Sequence, residues 1–303
     1  MVNTVGPDIL KQIGNTPLIR LRRIGRELTG VTLLAKAEWF NPGGSVKDRA
    51  AAHIVAEAEA AGKLTRQKTL LDATSGNTGV AYAMIGAAKG YRVKLCVPSN
   101  ASAEVLKTLR AFGAELSLTC PLEGSDGAIR EARRLAQENP EAYHYVDQYN
   151  NPANWQAHYQ GTGPEIWEQT GGEITHLIAG LGTSGTLMGT GRFLKEQKPG
   201  LQVISVQPDS PLHGLEGLKH MPTSIVPGIY DPSFPDRNLE VKTEEAYAMV
   251  KRLAAEEGLL AGISSGAALA AGLKAAEEAR EGVLVMIFPD GGSRYLDEEF
   301  WKQ

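Results

Sequence analysis

Cysteine is scarce, with two in 303 residues. Cys96 lies inside the apolar run "VKLCVP", and Cys120 stands before a proline. Neither belongs to a CxxC pair or has the spacing of a metal-ligand set. A disulfide scaffold, a zinc centre and a dithiol redox pair are therefore not expected, and both thiols read as structural. Long hydrophobic runs are missing too: nothing approaches the ~18 apolar residues that span a bilayer, so no membrane partner is expected. The opening stretch "MVNTVGPDILKQIGNTPLIRL" lacks the charged segment, apolar core and small-residue cleavage site of a secretory signal, which predicts a cytoplasmic protein. Positive charge is not in excess: the net charge is −4 and the pI is near 5.9. Without a basic face, which phosphate-backbone binding requires, nucleic acid is not an expected partner.

What the sequence does hold is an ordinary globular composition, 42% hydrophobic and 22% charged, with 34 glycines. Its length suits one large α/β unit or two lobes. Short β-branched runs at 31–38, 68–73, 91–98, 114–119, 175–181, 201–208 and 282–289 read as strands. Helical patterns occupy 47–61, 78–89, 103–112, 125–138, 185–197, 243–257 and 266–280, several of them rich in alanine. This alternation predicts mostly parallel sheets flanked by helices. There is no repeat or linker, so any division into lobes must come from chain topology. Ligands of such sheets sit where strands lead into helices.

Four of those transitions stand out. In "LLDATSGNTGVAYAM" a strand enters Thr74-Ser75-Gly76-Asn77-Thr78-Gly79 and then a helix, gathering hydroxyls, an amide and free N–H groups at a helix start. An N-cap and a tight turn would account for the same residues. In "THLIAGLGTSGTLMG" the run Gly182-Thr183-Ser184-Gly185-Thr186 lets the backbone curl its N–H groups toward a phosphate. It is not GxxxxGK[ST], so a nucleoside triphosphate with magnesium is disfavoured, and a compact phosphate tail on a small cofactor fits better. No metal is implied. In "LLAGISSGAALAAG", Ser264-Ser265-Gly266 open another helix, for which capping alone is a sufficient account.

The fourth is "NPGGSVKDRAAAHIVAEAEAAG", where Asn41-Pro42-Gly43-Gly44 is turn chemistry and Ser45 reads as an N-cap, placing Lys47 near the second helical position. A cation there opposes the macrodipole at a cost of roughly 0.3–1 kcal/mol when exposed and up to ~2 when partly buried. A lysine pointing to solvent is the ordinary outcome. The alternative is a reactive amine, because electropositive surroundings and burial lower an amine's pKa. The aldehyde with a phosphate tail that such an amine would meet is pyridoxal 5'-phosphate.

Taken together and in order, "NPGGSVKDR", "TSGNTG", "GTSGT" and "AGISSGAA" resemble the cysteine synthase (O-acetylserine sulfhydrylase) family of fold-type II pyridoxal phosphate enzymes, nearly end to end. The stretches 147–172 and 217–232 look more like the B type than the A type. The resemblance implies a two-domain α/β fold of the tryptophan synthase β kind. Residues 42–151 would form a smaller mobile domain, residues 1–41 and 152–303 a larger one, with the cofactor in the cleft between. It further implies that Lys47 forms the Schiff base and takes the α-proton, and that Asn77 meets the cofactor's ring oxygen. Gly182, Thr183, Ser184, Gly185 and Thr186 would hold the phosphate, and Ser264 the pyridine nitrogen. Thr74, Ser75, Gly76, Thr78 and Gln148 would hold the substrate carboxylate. The implied reaction is β-replacement on O-acetylserine through an α-aminoacrylate, giving cysteine and acetate, in a cytoplasmic homodimer.

Lys219 and His220 align with a basic pair that serves an anionic sulfur donor such as thiosulfate, although arginines occupy that place in the pattern and His220 could equally be a surface histidine. Ser293 stands in "FPDGGSRY" where relatives tend to carry an acid. His53 reads as a packing residue. O-phosphoserine as substrate, cystathionine β-synthase, serine or threonine dehydratase, and a non-enzymatic phospho-ligand binding protein are the alternatives.

Overall fold

A computed structural model describes residues 8–302. Its strands are β1 (Leu18–Arg20), β2 (Val31–Ala37), β3 (Thr69–Ala73), β4 (Val93–Pro98), β5 (Glu115–Thr119), β6 (Tyr143–Tyr145), β7 (Ile174–Gly180), β8 (Gln202–Pro208), β9 (Arg237–Val241) and β10 (Gly282–Phe288). The helices are α1 (Lys47–Ala60), α2 (Asn77–Lys89), α3 (Ala103–Ala111), α4 (Gly124–Glu138), α5 (Pro152–Ala157), α6 (Gly163–Gln169), α7 (Gly185–Gln197), α8 (Thr243–Arg252) and α9 (Ile263–Ala279). Two compact units result: the stretch ending at Gly14 with Asn41–Asn154, and Asn15–Phe40 with the chain from Trp155 onward.

The smaller unit is built on an all-parallel sheet of order β5-β4-β3-β6. Side chains alternate across it. Leu70, Val93, Leu95 and Val97 pack on one face with Ile54, Tyr82 and Ile85, while Leu71, Ala73 and Cys96 pack on the other with Ala128, Ile129 and Tyr149. All five residues of β3 are buried, as a central strand covered on both faces requires, whereas the edge strand β5 is partly exposed. Cys96 belongs to this interior, where burial pushes its thiol up to about 12; Cys120 is exposed.

The larger unit carries a six-stranded sheet of order β1-β2-β10-β7-β8-β9, parallel except for β1. Leu33, Ile178, Ile204, Leu284 and Met286 face one core with α9, and Leu177, Ala179, Val203, Val285 and Ile287 face the other with α7. Among the described residues no helix is long and apolar enough to cross a membrane.

The expected strands and helices are present, most ends lying within three residues of expectation; the exception is 243–257, where α8 stops at Arg252 and a π-helical turn, Leu253–Glu257, completes the stretch. Three short strands, β1, β6 and β9, were not anticipated: each is an edge strand of three or five residues, too short for alternation to stand out. The helical stretch 152–169 was missed for another reason. Pro152, Gly161, Gly163 and Pro164 read as breakers, yet the proline positions open α5 and α6, Gly161 lies within a π-helical turn at His158–Thr162, and Gly163 follows it.

Candidate active site

In the smaller unit, the turn at residues 41–44 closes through Gly44 N–H to the Asn41 carbonyl at 2.8 Å. The first turn of α1 holds it: Asp48 Oδ2 accepts the Gly43 N–H at 2.5 Å, and Asp48 is fully buried. The expected N-cap needs correcting. α1 begins at Lys47, after Val46, and no side chain caps it. Ser45 lies one residue too early, its Oγ accepting the Lys47 N–H at 3.2 Å. Lys47 is thus the first helical residue, half-buried, between buried Val46 and Asp48. The adjacent carboxylate at the helix start offsets the unfavourable placement of the ammonium. His53, half-buried on the same helix, has its pKa lowered mainly by burial.

β3 delivers the loop at 74–76 to the start of α2. Thr74 organises that loop from within: its buried Oγ1 accepts the N–H groups of Gly76 at 3.1 Å and Gly79 at 3.0 Å. Ser75, Gly76 and Asn77 are half-buried, and Gly76 precedes the helix without a side-chain cap. Gln148 locks the loop to its neighbours. Its Nε2 donates to the Ala73 carbonyl at 2.7 Å, while its Oε1 accepts the Thr78 hydroxyl at 2.9 Å. Gln148 and Thr78 are 70 residues apart, yet they form one buried polar pair.

In the larger unit β7 leads through residues 181–184 into α7. Gly182 is required by close approach: a Cβ there would lie 2.6 Å from the Gly217 carbonyl oxygen. Ser184 adopts a left-handed backbone, φ +69°, a conformation that costs of order 1 kcal/mol or more and turns successive N–H groups to one side. Its hydroxyl, on a residue 2% exposed, has no hydrogen-bond partner among the described residues. Thr183 Oγ1 accepts the Gly185 N–H at a long 3.4 Å, and Thr186 Oγ1 lies 3.3 Å from His158 Nε2. The buried Ser184 hydroxyl, without a partner among the described residues, and the backbone N–H groups that open the 13-residue α7 have the donor chemistry that fits a phosphate.

The start of α9 also departs from expectation. The helix begins at Ile263, so Ser264 and Ser265 occupy its first turn and neither caps it; Gly262 holds the cap position. Ser264 is 6% exposed. Gly262 N–H donates to the Asp290 carbonyl at 3.0 Å, and the Asp290 carboxylate accepts the Tyr295 hydroxyl at 2.6 Å. Ser293 is exposed on a short 3-10 turn, so the buried acid of this segment is Asp290. Glu216 is pushed up to about 7, first by burial and then by the carboxylates of Asp290 and Glu298.

Lys219 is buried, and its N–H donates to the Leu181 carbonyl at 2.8 Å, which sets its backbone beside Gly182. His220 is half-buried with Nδ1 2.8 Å from Thr223 Oγ1; it opposes protonation of His213, whose pKa is lowered chiefly by burial. Sequence reasoning overlooked Asp290, Tyr295, Glu216 and His158. Only "FPDGGSRY" carried a local signal, and it drew attention to Ser293.

The chain matches the family described as "Pyridoxal-phosphate dependent enzyme" over residues 9–290. It is 54% identical over 294 residues to "Cysteine synthase" of Aquifex aeolicus, covering 95% of this chain and 90% of that one. It is 46% identical over 292 residues to "Cysteine synthase B" of Pseudomonas aeruginosa, covering 96% of each. Among solved structures, cysteine synthase (OASS) from Entamoeba histolytica superposes with a TM-score of 0.91 at 38% identity, covering 100% of this chain and 93% of that one. O-ureido-L-serine synthase superposes with a TM-score of 0.92 at 38% identity, covering 98% and 96%. The match over residues 9–290 and the shared fold settle the family: the chain belongs to the pyridoxal-phosphate dependent enzymes, with the α/β fold-type II architecture of mostly parallel sheets flanked by helices.

Proposed function

We propose that this chain is a cysteine synthase that converts O-acetyl-L-serine and sulfide to L-cysteine and acetate. The observation that carries the reading is the Gly182–Thr186 cradle with its orphaned Ser184 hydroxyl, in a chain that also opens α1 with Lys47 and whose relatives carry that name along nearly their full length. Lys47 anchors pyridoxal 5'-phosphate. Asn77 hydrogen-bonds its ring oxygen, Gly182, Thr183, Ser184, Gly185 and Thr186 hold its phosphate, and Ser264 meets its pyridine nitrogen.

The bound cofactor supplies an electron sink for the pair left at the substrate's α-carbon. The remaining work belongs to the protein. Ser75, Gly76 and Thr78, at the start of α2, bind the substrate carboxylate through N–H and hydroxyl donors. Thr74 and Gln148 hold that loop in shape, as their hydrogen bonds within it support. Lys47 Nζ, set free when the substrate's own amine takes its place on the cofactor, would take the α-proton; acetate would depart from the β-carbon with its bonding pair, hydrosulfide would bond to the same carbon, and Lys47 would return the proton to the α-carbon. A neutral serine at the ring nitrogen, instead of a carboxylate, does not enforce a charged pyridinium, which suits elimination over wider carbanion chemistry. Lys219 and His220 form an entrance for an anionic sulfur donor, extending the range to thiosulfate. The protein works in the cytoplasm as a homodimer on small molecules.

The test is product analysis with purified protein given O-acetylserine or O-phosphoserine, each with sulfide, thiosulfate or homocysteine. Cysteine and acetate in equal amounts from O-acetylserine and sulfide is the expected result. Cystathionine, or pyruvate without a sulfur product, would replace the reading with one of its rivals. Lys47→Ala should lower turnover by at least ~10²-fold. Borohydride reduction followed by peptide mass spectrometry should place the pyridoxyl group on Lys47; finding it on another lysine would overturn the assignment.

A further inference from the structure

His158 is 1% exposed and Thr162 fully buried. They sit at the two ends of the π-helical turn His158–Thr162, a local widening of the helix that often marks functional positions. The imidazole has a hydroxyl at each nitrogen: Thr162 Oγ1 lies 2.9 Å from Nδ1, and Thr186 Oγ1 lies 3.3 Å from Nε2. The ring cannot easily move away. At Gly189, on α7, a Cβ would lie 1.9 Å from the Trp155 carbonyl oxygen and 2.8 Å from His158 Cβ, so the two backbones are already at closest approach.

A neutral imidazole donates from one nitrogen and accepts at the other, and each hydroxyl has a single proton. The three groups therefore have two concerted arrangements. In one, Thr186 donates to Nε2 and Nδ1–H donates to Thr162. In the other every proton is reversed. A phosphate monoester is mainly a dianion at neutral pH and in that form only accepts, so it selects the arrangement in which the Thr186 hydroxyl points away from the ring.

We propose that Thr162, His158 and Thr186 form a directional hydrogen-bond relay, Thr162 O–H to Nδ1 and Nε2–H to Thr186 Oγ1, which frees the Thr186 proton for the cofactor's phosphate and makes His158 and Thr162 positioning residues of the cradle. This rests on the reading of Gly182–Thr186 as the phosphate site. Losing a correctly aimed hydrogen bond to a charged acceptor corresponds to about 10–100-fold in affinity.

The experiment measures cofactor affinity by reconstituting apoprotein with pyridoxal phosphate and with pyridoxal, which lacks the phosphate. It uses wild type, His158→Phe, His158→Gln and Thr162→Val, with ¹⁵N NMR of the His158 ring in the wild-type holoprotein. His158→Phe should lose about 10–100-fold in pyridoxal phosphate affinity and little in pyridoxal affinity. His158→Gln, whose amide N–H reaches toward the Nε2 position, should recover most of the loss, and Thr162→Val should fall between. The NMR spectrum should show the Nε2–H tautomer. An Nδ1–H tautomer in the holoprotein, or folded His158→Phe with unchanged preference for the phosphorylated cofactor, would overturn the relay while leaving the phosphate site standing. Wild type showing no preference for pyridoxal phosphate over pyridoxal would overturn the phosphate site and the relay together. Should His158→Phe fail to fold, the wild-type tautomer and His158→Gln still decide.

Discussion

At the scale of single residues, Asp72 is sensitive to a change in pH because it is shut away from water. It is the penultimate residue of β3, just before Ala73, and is fully buried. One carboxyl oxygen accepts the Ala73 N–H at 2.9 Å, and the other is buried with no hydrogen-bond partner among the described residues. Burial, with Asp147 adding like charge, pushes this carboxyl up to about 8 from an ordinary 3.8, while the Ala73 N–H opposes the shift. The sign follows from proton counting. Between pH 4 and 8 the unfolded chain has released this proton and the folded chain keeps it, so stability contributed by Asp72 is full below pH 4 and falls as pH rises, by up to ~1.4 kcal/mol per unit, levelling off above about pH 8. Asp72→Asn cannot ionise. The difference in urea stability between wild type and Asp72→Asn should change across pH 4–8 in favour of the variant; a constant difference would show that Asp72 is ionised in the fold.

At the scale of elements, α7 is the piece on which the proposed phosphate cradle depends, and it packs closely on the segment at 155–159. Ridge-into-groove packing normally separates helices by 8–10 Å, and a glycine at the contact allows the closest approach. Gly189→Ala would put a methyl group 1.9 Å from the Trp155 carbonyl oxygen, so one backbone must shift. Such overpacking should cost about 1–3 kcal/mol in denaturant unfolding, with a parallel loss in cofactor affinity because α7 carries the loop. Gly200, where an added Cβ meets nothing within 4 Å, is the control: Gly200→Ala should leave both quantities nearly unchanged. Equal effects from the two substitutions would mean that the close contact does not govern position 189.

At the scale of the whole molecule, two parallel sheets with separate two-sided cores make two units, each able to hold its own loops in place. A cofactor bound by the folded chain and not by the unfolded one must raise stability by mass action, ~2.7 kcal/mol at a free concentration 100 times the dissociation constant. Melting of apoprotein titrated with pyridoxal phosphate should therefore shift upward with concentration, and inorganic phosphate should produce a smaller shift through the cradle alone. A melting temperature indifferent to pyridoxal phosphate would contradict the cofactor assignment. Sedimentation equilibrium should return twice the 32.4 kDa chain mass if the proposed homodimer forms, and a value of one chain mass would overturn it.

The sequence alone determined the alternation of strands and helices, the four loops at strand-to-helix transitions and the presence of a lysine at the opening of α1. These are local properties, written in hydrophobic period, in turn residues and in motifs whose members lie within ten positions of one another. It placed Ser45 and the 264–265 serines as caps because Ser caps helices in general, and the helix starts moved because Asp48 and Asp290 hold the turns from positions the local pattern does not weigh. Only the tertiary structure set Gln148 against Thr78, His158 against Thr186 and Asp72 where water does not reach. Hydrogen bonds and desolvation act over a few ångströms in space, and the residues they join here stand 28 to 70 positions apart along the chain. No period or spacing in the sequence encodes such a meeting; it follows from how the strands are ordered in their sheets.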